Sequence, residues 1–317
     1  MKAICAGLTV AAALAAQDTS SYKTTAIDVN GHRIEQGPEV TRSSYKNGSE
    51  TTQKMQSING RMVRVEQAEE RVLREDASGK VTERIIHHYD PTGNPIGDEK
   101  AIVEVRNAGV GNSTMLTTKY GMDVNGHTKV TERTSTEIQT SGGTQTSNTA
   151  IERPTANDSL QTVEKQTTVL VKQGSGFEES ATTYRRGPTG DFYEAVRSVK
   201  DHSESANQTT DNIAEYEVGA SGRLELHGQT VTKTQKRSDG TEDVQVDIFS
   251  KNVPGVVNDT RSLQLKEHQT IARRAGPGDT VIETLNVQRP TVSDPNRLGP
   301  PQQISETVCR GKCDSSR

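Results

Sequence analysis

Aromatic and large aliphatic side chains are what this sequence has least of. Among 317 residues there is no tryptophan, there are 3 Phe and 7 Tyr, and hydrophobic residues of every kind reach only 30%. So few rings leave little for base stacking, and 38 basic against 42 acidic side chains give no basic footprint for phosphate backbones, so nucleic acid is excluded as a partner. No apolar run reaches the ~18–20 residues of a membrane helix, and an outer-membrane barrel is expected to show aromatic girdles and an apolar lipid face. On these grounds the sequence predicts no membrane span. A poor apolar content combined with high net charge signals disorder, but the formal charge here is only −4. The missing apolar volume is replaced by threonine, about 39 residues, with Ser, Gln and Gly. Threonine is β-branched and suits a pleated, half-wet surface, which favours exposed sheet over coil.

Cysteine is scarce too. Cys5 lies within MKAICAGLTVAAALAA, where Lys2 precedes an apolar stretch ending in small residues; residues 1–16 read as a secretory signal peptide cut after Ala15 or Ala16. That leaves Cys309 and Cys313, in CRGKC. Outside the cytoplasm the pair is expected to be oxidised, and the intervening Gly311 lets the two backbones turn toward each other. A small terminal disulfide loop is therefore expected, and a secreted or periplasmic product.

What the sequence has in quantity is turns. Asn47-Gly48, Asn59-Gly60, Ser78-Gly79, Asn125-Gly126 and Ser221-Gly222 supply the positive φ of tight hairpins. Between turns the period is two: Val244, Val246 and Ile248 alternate with Asp243, Gln245 and Asp247. Met62 to Glu75 has helix-friendly residues, but its flanking Asn-Gly and Ser-Gly pairs mark a hairpin arm. The segment from Asp28 to His32 recurs at Asp123 to His127, and the unit is a two-strand hairpin of about 30 residues. The expected fold is all-β: an extended antiparallel β-meander of repeated hairpins, about 15–18 strands, its sheet curled or stacked because flat sheets beyond roughly ten strands are unusual. The expected organisation is residues 17–140 and 160–290 as two parts of the hairpin region, residues 141–159 as a polar loop, and residues 291–317 as a disordered, flexible tail holding the cysteine pair.

No constellation for chemistry emerges. In His87-His88-Tyr89-Asp90 a strand sends neighbours to opposite faces, so at most half of the donors converge, short of a metal site. There is no nucleophile elbow, P-loop or dinucleotide fingerprint, so no catalytic, cofactor-binding or metal residue is assigned and no enzyme is expected. Tyr89-Asp90-Pro91-Thr92-Gly93-Asn94 resembles the Tyr-Asp-x-x-Gly-Asn core of YD (Rhs-type) repeats, a resemblance that implies a secreted β-hairpin repeat protein.

The reading that follows is an exported, non-enzymatic β-repeat scaffold of surface, matrix or adhesion type. Its expected partners are envelope or extracellular matrix components, glycans or a lipid, with self-association through unpaired edge strands. Two alternatives stay open. One is a periplasmic carrier holding an amphipathic lipid on a curled sheet, along the faces of Val244, Val246, Ile248, Val281, Leu285 and Val287. The other is a secreted hydrolase.

Overall fold

The computed structural model describes residues 16–313 apart from 29–30, 123–125, 220, 239–240, 252–262 and 292–296. The expected signal peptide lies outside the described residues except at Ala16, where the first strand begins. Nineteen strands follow: β1 (Ala16–Ile27), β2 (Arg33–Glu35), β3 (Glu39–Tyr45), β4 (Glu50–Ile58), β5 (Arg61–Asp76), β6 (Gly79–Tyr89) and β7 (Pro95–Asn107). Next come β8 (Ser113–Met122), β9 (Thr128–Ser141), β10 (Thr144–Pro154), β11 (Leu160–Gln173), β12 (Gly176–Arg186) and β13 (Phe192–Ser205). The last are β14 (Gln208–Val218), β15 (Leu224–Lys236), β16 (Glu242–Ser250), β17 (Gln264–Ala275), β18 (Thr280–Gln288) and β19 (Gln302–Gly311).

Apart from β2 and β3, which do not pair with each other, each strand pairs antiparallel with its neighbours in sequence, and β19 pairs antiparallel with β1 from Ser20 opposite Gly311 to Ala26 opposite Ser305. The sheet therefore closes. Both β2 and β3 pair with β1, so they are two pieces of one stave, broken at Gln36-Gly37-Pro38. Nineteen strands thus make eighteen staves, an even number, as an all-antiparallel ring requires.

Closure corrects four expectations. The sheet is neither an open meander nor a stacked pair: the first and last strands meet, which no local pattern announces. The edge strands that offered a route to self-association are consumed in that pairing. Residues 291–317, expected to be a disordered tail, contain β19, which completes the ring between β18 and β1. Residues 141–159, expected as a polar loop, are mostly β10, paired along its length with β9 and β11.

The turns explain how a polar chain holds this register. In residues 90–94, 155–159 and 187–191 the first amide donates to the fifth carbonyl and the fourth amide to the first carbonyl, as in Asp90 N to Asn94 O at 2.8 Å and Gly93 N to Asp90 O at 2.9 Å. The fourth residue is left-handed, Gly93 at φ +92° and Asp158 at +60°, so glycine or a short polar residue is needed there. Two rims result. One holds Ala16, Gly311 and turns such as 108–112; we call it the terminal rim. The other holds 90–94, 155–159 and 187–191; we call it the far rim.

Apart from the interrupted β2–β3 stave, every stave that descends from a far-rim turn carries a one-residue bulge close below it. The skipped residues include Thr131, Val163, Ala195 and His227, spaced 32 apart. This is the hairpin repeat in structural form, and the bulges increase local twist and bend the sheet toward closure. There is no packed interior. Contacts run almost entirely between neighbouring staves, and among the described residues no large side chain is fully buried and the buried apolar residues are Ala68, Ala195, Val287 and Cys309. A single-layer wall has no second layer to pack against, which is why so few apolar residues suffice.

Candidate functional site: the two faces of the wall

Paired residues in a sheet share a face and neighbours along a strand alternate, so the register assigns every strand residue to one of two faces. Tyr184 pairs with Lys165 and Glu194, and Arg186 with Phe192. Arg197, two positions beyond the bulge residue Ala195, pairs with Thr182 and Tyr216. Followed around the ring, this register puts Tyr89, Tyr120, Tyr184, Phe192, Tyr216 and Phe249 on one face, each within about three residues of the far rim, or ~10 Å of strand. Six of the chain's ten aromatic residues, 7 Tyr plus 3 Phe, thus form a ring at one level of one face. Met62, Met122, Leu160, Leu224, Leu226 and Leu265 fill the same level and face. Met122 is 61% exposed and Met62 49%. The opposite face at this rim is mostly charged and polar, as where Glu217 faces Glu225 beside the Tyr216–Leu226 pair, though Tyr193 and Ile34 also stand on it.

Below the ring charges on both faces are answered across strands, and on the face opposite the ring aliphatic pairs such as Val244–Ile271 and Ile271–Leu285 stand among them. On the ringed face Glu83 is 4% exposed and bonded by Arg71 at 2.5 Å and Lys100 at 2.7 Å. On the other face Arg273 sits between Glu242 at 2.7 Å and Glu283 at 2.8 Å, and Glu132 between Lys119 at 2.8 Å and Arg153 at 3.0 Å. Thr136 and Thr149 share a hydroxyl contact of 2.9 Å. Such pairs are the unit of stabilisation in a sheet without a core.

The histidines fall singly into these ladders. His87 and His88 face opposite sides, His87 against Asp98 at 2.7 Å and His88 against Glu99 at 3.2 Å. Among the described residues no three His, Cys, Asp or Glu side chains gather for a metal ion. Cys309 and Cys313 are joined in a disulfide, Cα atoms 6.0 Å apart. The loop it closes reaches the first strand: Lys312 N donates to Thr19 O, and Lys312 Nζ lies 2.8 Å from Asp18, which raises the pKa of that ammonium. The valine faces expected to hold a lipid stand apart from the ring: Val244, Val246, Ile248, Val281, Leu285 and Val287 lie on the other face.

No family model matches the chain, and no curated protein matches it in sequence. Among solved structures it is similar to a triple mutant of the Rh. blastica porin, with a TM-score of 0.53 at 6% identity over 93% of this chain and 98% of that one. It also aligns with Salmonella typhi OmpF in complex with daunomycin, at a TM-score of 0.48 and 10% identity over 93% of this chain and 97% of that one. The first likeness overturns the resemblance to YD repeats: Tyr89 to Asn94 is one corner of a closed ring rather than a unit of a wound shell. It equally overturns the reading as a secreted or periplasmic surface scaffold or lipid carrier with no membrane span. The span was excluded for want of apolar runs and girdles, but a barrel of strands needs no long apolar run, and the aromatic ring here is assembled from residues on different staves. The fold of this chain is that of the bacterial porin barrel.

Proposed function

We propose that the chain is a porin-like β-barrel channel of the outer membrane, a non-enzymatic passage for small polar solutes. The observation that carries this reading is the aromatic and aliphatic ring on one face of a closed wall. A barrel has one face toward its lumen and one toward its surroundings, and a ring of Tyr, Phe, Leu and Met is costly against water but at home at a lipid interface. The ringed face is thus the outer one and the Glu217–Glu225 face lines the lumen. Eighteen staves at ~4.8 Å with the usual strand tilt enclose a ring roughly 35 Å across between backbones, which side chains from opposite walls do not bridge. The longest connections, from β16 to β17 and from β18 to β19, both lie at the ringed rim; in such barrels the longer loops are extracellular and the short turns periplasmic. That orientation puts Ala16, Gly311 and the disulfide on the periplasmic side.

The test is recovery of the protein with outer-membrane vesicles, followed by recording in a planar bilayer. Stepwise conductance is the expected result. A protein that stays soluble and leaves the bilayer silent contradicts the reading.

A further inference from the structure

The 32-residue repeat places a second feature on the ringed face. Two positions beyond the bulge residues Thr131, Val163 and Ala195 stand Arg133, Lys165 and Arg197, on alternate staves β9, β11 and β13. Arg133 pairs with Glu152, Lys165 with Ala150 and Tyr184, and Arg197 with Thr182 and Tyr216, so all three share the ringed face. Alternate staves are ~10 Å apart, which makes a row of three cations along ~20 Å of the wall, just below the aromatic ring. The row turns toward the rim: Lys165 Nζ lies 4.5 Å from the ring centre of Phe192, the first residue after a far-rim turn.

Many cations in the wall are answered by carboxylates, as Arg71, Lys119 and Arg273 are. Arg133 and Lys165 are not, a state they share with others such as Arg84, Lys172, Lys233 and Arg310 among the described residues, but only in this row do such cations stand on alternate staves directly below the aromatic ring. Lys165 is exposed and has no ion pair among the described residues, and Glu152 makes none with Arg133 despite its register. Arg133 Nε is buried with no hydrogen-bond partner, and the other side-chain atom in that state among the described residues is Arg64 Nε, on an arginine placed over Tyr89 at the same rim. Arg197 is the exception, bonded to Glu194 at 2.6 Å.

We propose that Arg133, Lys165 and Arg197 form a docking row for the phosphate groups of anionic lipids, with Arg64 a separate contact of the same kind. This rests on the reading of the ringed face as lipid-facing. Long basic side chains rooted below an aromatic belt extend toward the headgroup level, where an anionic phosphate supplies the acceptors that the wall withholds.

The full chain is tested for partition into vesicles of phosphatidylcholine alone or with a share of phosphatidylglycerol. The wild type is expected to favour the anionic vesicles by about a hundredfold or more, at roughly fivefold per engaged cation. The combined variant Arg133→Gln, Lys165→Gln and Arg197→Gln is expected to lose most of that preference, keeping about the fivefold that Arg64 supplies, while its partition into neutral vesicles is unchanged. The single exposed change Lys165→Gln should lose about fivefold, and Lys233→Gln, on the same face toward the terminal rim, should lose nothing. A triple or single variant that keeps the full preference, or a wild type with none, overturns the docking row and leaves the channel reading standing. A wild type that enters neither vesicle overturns the channel reading and the row with it.

Discussion

At the scale of residues, the barrel depends on a few positions with no freedom to change. Gly311 has a φ of +83°, and a Cβ there would lie 2.3 Å from the carbonyl oxygen of Thr19. Gly311→Ala is expected to destabilise the fold by about 1–3 kcal/mol, since strain in φ adds to a backbone collision at the closing pair of strands; thermal unfolding measures it, and an unchanged midpoint would refute this close approach. Asp90 illustrates a different dependence. Its carboxylate accepts the Thr92 hydroxyl at 2.6 Å, the Thr92 amide at 2.8 Å and the Asn94 amide at 2.9 Å, and these bonds lower its pKa from 3.8 to about 2. Because the folded value lies below the unfolded one, the turn's stabilisation is complete above the unfolded value and is lost as pH falls toward 2. A carboxyl titration followed by NMR should show a midpoint near the lower figure; one at the ordinary value would mean that the turn does not hold these bonds. The left-handed glycines were the most legible residues in the sequence, because a positive φ is a local demand. Arg133 and Lys165 carried no signal, since their meaning depends on strands that pair with them from a distance.

At the scale of elements, the repeated hairpin was readable and its bulges were not. Alternation marks a strand, and Asn-Gly or Ser-Gly marks its end, but a bulge changes only which residues face each other. That change matters here, because below the far rim it keeps Lys165 with Tyr184 and Arg197 with Tyr216 on the ringed face. The girdle was hidden for the same reason: 3% aromatic content looks negligible until the register collects residues from separate staves at one level. Replacing Tyr184, Phe192 and Tyr216 together by Ser is expected to cut recovery of the barrel with membranes at least tenfold, as judged by flotation, whereas the same change at Tyr22 and Tyr45, away from the ring, should have a much smaller effect. The seam is a second element. It is the one pair of neighbouring staves without a turn to join them, and the disulfide-closed loop from Cys309 to Cys313 lies across its end. Cys313→Ser is expected to cost about 2 kcal/mol, with faster amide exchange concentrated in β1 and β19; exchange that rises evenly around the ring would show that the loop does not secure the seam.

At the scale of the whole molecule, a composition that looks too poor in apolar residues for a globular domain is sufficient for a wall one layer thick. Pro290, Pro295, Pro300 and Pro301 made the C-terminal segment look unstructured, but they precede a strand whose partner is the first one, nearly the full chain length away. No local pattern reports such a pairing, and with it closure, the absence of free edges and the distinction between inside and outside remained out of reach. The aromatic ring marks one face at one rim, and charges lower on that face are held in cross-strand pairs such as Glu83 with Arg71 and Lys100. The central claim, a water-filled lumen lined by the face opposite the aromatic ring, can be tested at neighbouring positions of β15. Thr232 pairs with Asp211 and Val246 on the lumen side, and Val231 with Asn212 and Asp247 on the ringed side. Single-channel conductance of Thr232→Cys should fall stepwise when a bulky, charged, thiol-specific reagent is added, while that of Val231→Cys should not change; block at Val231→Cys with none at Thr232→Cys, or no conductance from either, would contradict the account.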